Sequence, residues 1–143
     1  MKRHFGSWWV RSIFGAGDTL TDVEFSMLGS LLDVLPDEQR AIARAQFSAY
    51  DLVQREVDGR ALNFYCRNPQ AAFGPIPKLA MDVAEARVAR VAFQVAEDAE
   101  PVHATLTAVN GRVFSVAFSR RVDKYPRGTE VRLARTKRSR KSG

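Results

Sequence analysis

The chain is poor in the residues from which catalytic and metal centres are usually built, with one cysteine, Cys66, and two histidines, His4 and His103. A single cysteine excludes an internal disulfide framework, and the histidines lie too far apart to form a ligand pair at the usual spacing, so no metal and no cofactor are expected. No apolar run approaches the ~20 residues of a membrane-spanning helix. Acid is missing from the last dozen residues, where Arg132, Arg135, Lys137, Arg138, Arg140 and Lys141 are six cations without a carboxylate among them. The whole chain has 22 basic and 16 acidic residues, and without those six cations the counts are 16 and 16. The pI of about 10 therefore belongs to a tail and not to a basic fold. A neutral fold with a basic tail points to a globular module whose main task is not nucleic-acid binding by its surface.

What is present fits one domain: 143 residues bury a sizeable core without disulfide or metal support. Met1-Lys2-Arg3-His4 imitates the charged start of a signal peptide, but Arg11 interrupts the apolar stretch behind it and no clean cleavage site follows, so the chain is read as mature and cytoplasmic. Arginine outnumbers lysine 17 to 5, a bias that fits a GC-rich bacterial genome.

Residues 1–17 are predicted to form an amphipathic arm in which Phe5, Trp8, Trp9 and Ile13 share a side, with Gly15 and Gly17 ending it. A single domain over 18–134 follows. Thr21 and Glu24 make a capping box, Leu20 and Phe25 a hydrophobic staple, and Met27, Leu28, Leu31, Leu32 and Leu35 an apolar stripe that Pro36 ends. Asp37, Glu38 and Gln39 open a second helix, whose stripe includes Ile42, Ala45, Ala49 and Leu52. Asp58-Gly59 is a turn with a strand predicted on each side; the competing reading runs the helix on to Val57. Beyond the loop marked by Pro69, Gly74, Pro75 and Pro77, strands are predicted over 79–84 and 87–96 on the strength of Val88, Val91, Phe93 and Val95, although alanine and charge spacing in this stretch also suit a helix. The clearest hairpin joins 102–108 to 112–119 around Asn110-Gly111. A three-residue loop pairs Leu106 with Phe114, Ala104 with Val116 and Val102 with Phe118, which segregates apolar from polar side chains and makes Leu106, Phe114, Val116 and Phe118 core. The fold class is α+β: N-terminal helices on one face of an antiparallel β-meander, with a disordered basic tail over 135–143.

No catalytic constellation emerges. Cys66 falls on an apolar strand face and is read as a buried small hydrophobe, whereas His103 falls on a polar face, so a Cys66–His103 dyad is disfavoured. Asp33, Asp37 and Glu38 cluster where two helices meet, as capping alone explains. The chain is therefore expected to be non-enzymatic, a binding or adaptor module that meets a protein partner through Trp8 and Trp9 of the arm or through His103, Thr105 and Thr107 on the polar face of the sheet. The alternative is nucleic-acid binding by the six tail cations; a membrane surface is the less favoured partner of the arm.

Overall fold

The computed structural model describes residues 20–66, 68, 70 and 73–134. Two helices, α1 (Asp22–Asp33) and α2 (Asp37–Ala49), precede six strands: β1 (Leu52–Arg55), β2 (Ala61–Tyr65), β3 (Glu85–Val95), β4 (Val102–Val109), β5 (Arg112–Phe118) and β6 (Val131–Leu133). The strands form one sheet in the order β1-β2-β5-β4-β3-β6, with every pair antiparallel. The central β3–β4–β5 meander is thus extended by the β1–β2 hairpin at one edge and by the short β6 at the other. This is the predicted α+β class with the helices first.

The start of α1 is fixed by its sequence. The Thr21 Oγ1 accepts from the Glu24 amide at 3.1 Å and the Glu24 carboxylate accepts from the Thr21 amide at 2.9 Å, the reciprocal capping box. Glu24 is also fully buried, and Arg55 of β1 donates to it from Nε at 2.8 Å and from Nη2 at 2.6 Å. One carboxylate therefore caps a helix and pins it to the edge of the sheet. The stripe of α1, with Phe47 of α2, packs on the inner sheet face, where Val53, Leu62, Phe64, Phe93, Val95, Val102, Leu106, Val116 and Phe118 are buried.

Two expectations are corrected. Residues 79–84 are not a strand. This stretch wraps over the β4–β5 turn, where Leu79 is buried and donates its amide to Gly111 C=O at 2.8 Å, so its backbone is bonded to a turn and not to a ladder. The hairpin register also differs. The loop has two residues, Val109 pairing with Arg112, and Asn110 and Gly111 stand at φ 51° and 82°, the positive pair that a type I′ turn requires. One extra residue, Phe114, then enters β5 as a bulge, so Ala108 pairs with Val113 but Thr107 with Ser115 and Leu106 with Val116. Beyond the bulge the apolar and polar faces are those the sequence demanded. At the bulge they are exchanged: Val113 is buried, and Phe114 is half-buried on the outer face with its ring edge-on to Tyr65 at 6.0 Å.

Helix α2 stabilises this irregularity. Gln46, fully buried, accepts from the Val113 amide at 2.8 Å, and the hydroxyl of Tyr50, one turn further on, donates to Val113 C=O. The Nε2 of Gln46 also donates to Gly111 C=O at 2.9 Å and to Pro77 C=O at 3.1 Å. Burial pushes the Tyr50 hydroxyl well above the ordinary tyrosine range, which keeps it a neutral donor.

Candidate functional site

Both helices lie on the inner face, and among the described residues no element covers the outer one. Its side chains stand in rows set by the strand registers. One row runs Gln54–Asn63–Ser115–Thr107–Arg87 across five strands, and the next runs Ala61–Ala117–Thr105–Arg90 across four. His103 follows, opposite Ala92 of β3. His103, Thr105 and Thr107 thus share the outer face as predicted, but their neighbours are shifted. Thr105 lies beside Ala117 and Thr107 beside Ser115, whereas the three-residue loop would set Thr105 beside Ser115 and Thr107 beside Val113, which is in the core.

Arg87 and Arg90 are exposed, and neither is engaged in an ion pair with another described residue. On a regular strand, positions three apart point to opposite faces. Here β3 carries its own irregularity between Arg87 and Ala89, and that shift places both arginines on the outer face, opposite Thr107 and Thr105. Alternation alone therefore concealed them. At the far side of the face, Tyr65 is 39% exposed and packs against Phe114. Next to this pair an open concavity of about 590 Å³ is lined by Gln54, Glu56, Asn63 and Tyr65 among others, and Asn63 Nδ2 donates to Glu56 at 3.1 Å.

The other predicted site residues are dispersed. Trp8 and Trp9, and Arg135, Lys137, Arg138, Arg140 and Lys141, lie outside the described residues. Arg132 is an exposed residue of β6 and sits 3.9 Å from Glu130. Cys66 follows β2 and packs, half-buried and not fully buried as expected, against the core, whereas His103 stands on the outer face of β4. Among the described residues no group of three His, Cys, Asp or Glu side chains is placed to hold a metal ion, and no helix is long and apolar enough to cross a membrane.

A second polar cluster ties loops together. Tyr125 donates to Asp98, and Arg120 donates to Asp98 at 2.9 Å and to Glu100 C=O at 3.1 Å. The Tyr125 hydroxyl, and then Arg120, hold the Asp98 carboxyl below the usual range. Tyr125 itself is raised, by burial and then by Asp98. These bonds join the β3–β4 loop to the β5–β6 connection, and each group is occupied by the others. Compared with known proteins, the chain matches no family model, no curated protein and no solved structure.

Proposed function

We propose that the chain is a non-enzymatic binding module of the bacterial cytoplasm that engages a macromolecular partner through the outer face of its sheet. The observation that carries this reading is the outer face itself, which no described element covers. A six-stranded sheet packed on one side by helices presents on the other ordered rows of polar, cationic and aromatic side chains. Antiparallel sheets commonly leave one face to water, but Arg87, Arg90, Tyr65 and Phe114 add both charge and apolar surface to this one. The tryptophan arm remains a second proposed contact on sequence grounds. The test is a photoreactive side chain placed at Thr105 in the full chain within host cells, against a control at Ala41 on the exposed side of α2. Covalent adducts with a macromolecule are expected from Thr105 and not from Ala41. Equal labelling at both positions, or none at either, refutes the reading.

A further inference from the structure

Resting on that reading, we propose that the partner of the outer face is single-stranded RNA, its phosphates lying along Arg87 and Arg90 and a base stacking on Tyr65 and Phe114. Charge and chemical order across the strands favour this partner. The fold is close to neutral as a whole, but its charge is segregated. Along the outer face β3 contributes Arg87 and Arg90 and β6 contributes Arg132, all exposed. The acids of this face are Glu85 where β3 begins, Glu56 held by Asn63 near the β1–β2 turn, and Glu130, 3.9 Å from Arg132, so that Arg87 and Arg90 are its cations without an ion-pair partner among the described residues.

The chain also leaves the sheet on the cationic side. The Ala134 amide donates to Ala92 C=O at 2.9 Å, so the last described residue before Arg135, Lys137, Arg138, Arg140 and Lys141 in the sequence is bonded to the same strand. The edge of the sheet at β3 and β6 thus carries exposed arginines and is where the cation-bearing sequence begins, an arrangement complementary to a polyanion.

The strands inward from the arginines carry the remaining groups in the order a nucleotide needs. Thr107 and Ser115 follow Arg87 in its row, at the strand spacing of about 4.8 Å, and place hydroxyls where a sugar would lie. Phe114 and Tyr65 lie beyond, with partly open ring surfaces on which a base can stack. Hydroxyl side chains in the sugar position can donate to and accept from a 2′-hydroxyl, the group by which a protein distinguishes RNA from DNA. Phosphate recognition by arginines and stacking on aromatic rings impose little base preference, so a weak dependence on sequence is expected.

The experiment is fluorescence anisotropy with the full chain, a labelled oligouridylate of about a dozen nucleotides, the matching oligothymidylate and a polyglutamate peptide, each across a salt series. Three full-length variants are compared: R87Q/R90Q, Tyr65→Leu, and a chain in which the five cations after Ala134 are neutralised. Oligouridylate is expected to bind more tightly than oligothymidylate, and polyglutamate least. R87Q/R90Q should lower affinity at least tenfold and reduce the salt slope by about 1.4, the value for two phosphates on a single strand. Tyr65→Leu should lower affinity at least fivefold and leave the slope unchanged, as expected for loss of stacking. An unchanged melting temperature in each variant attributes the loss to the surface. Binding that survives R87Q/R90Q and disappears when the tail is neutralised overturns the proposal in favour of the tail alone. Equal affinity for oligothymidylate overturns the choice of RNA, and tighter polyglutamate binding assigns the face to an acidic protein. Nuclease-resistant adducts at Thr105 would also sink the RNA proposal, while leaving the binding-module reading intact.

Discussion

Replacing Gln46 with leucine tests whether α2 sustains the bulge in β5. Leucine nearly preserves the volume, so the cost is polar. The Val113 amide loses its acceptor in a buried position, and an orphaned donor of this kind costs about 1–3 kcal/mol. Two further bonds from Nε2 are lost, but their acceptors are less exposed to harm: Gly111 C=O keeps the Leu79 amide, and Pro77 C=O is bonded in a part-buried setting. Together the two lost bonds add about 1 kcal/mol and burial of the additional apolar surface returns about as much, so the net loss should be about 1–3 kcal/mol. Urea denaturation measures it, and the melting temperature should fall by about 10 °C. Amide exchange by NMR localises it, since Val113 should lose protection before the middle of β4 does. Gln46→Glu is the companion variant. It keeps an acceptor for Val113 but presents a buried anion to two carbonyls, so its folded pKa must be raised. Its stability should therefore be greatest below the unfolded glutamate value of about 4.3 and be lost as pH rises. A loss below about 1 kcal/mol for Gln46→Leu, with Val113 still protected, would refute the claim that this side chain satisfies the bulge.

Three further outcomes follow from the same contacts. Tyr50→Phe should cost about 1 kcal/mol at neutral pH. Because the folded hydroxyl titrates far above the unfolded value of about 10, wild-type stability should fall as pH rises beyond 10, and alkaline denaturation of the phenylalanine variant should show a shallower fall. Phe118→Ala should cost about 3–5 kcal/mol, whereas Phe114→Ala, on the outer face, should cost about 1–2; equal costs in urea unfolding would restore the three-residue loop. Arg55→Met leaves the buried Glu24 carboxylate without its guanidinium and should cost about 3–5 kcal/mol, most of it recovered when Glu24 is also made leucine, as thermal denaturation of the single and double variants would show.

The elements themselves were largely legible. The capping box at Thr21 and Glu24, the stop at Pro36, the turns at Asp58-Gly59 and Asn110-Gly111, and the alternation of β4 each rest on local chemistry, and each is found where that chemistry points. What was concealed depends on contacts distant in sequence. Burial of Val113 in place of Phe114 requires Gln46, which accepts from its N–H, and Tyr50 at the end of α2, which donates to its C=O, and the strand expected at 79–84 is lost to bonding with Gly111. The candidate face was half visible: His103, Thr105 and Thr107 follow from alternation, but Arg87 and Arg90 come together only through an irregularity that a period-two pattern cannot express. Gln46 reads as an ordinary polar position on a helix until the sheet behind it is known.

The grip of α2 on Val113 also bears on the order of folding. The Asn110-Gly111 turn can close early and locally, yet three registers of β5 compete: unbulged, bulged, or shifted through a longer loop. Without a bulge, Val116 and Phe118 would turn outward and Ser115 and Ala117 inward. With the longer loop, Val113 would leave the core. Only the bulged hairpin offers its N–H and C=O to Gln46 and Tyr50, which lie 67 and 63 residues earlier in the chain. Helix docking thus acts as a proofreading step, in which contacts of high sequence separation select one register from several that the turn alone would accept.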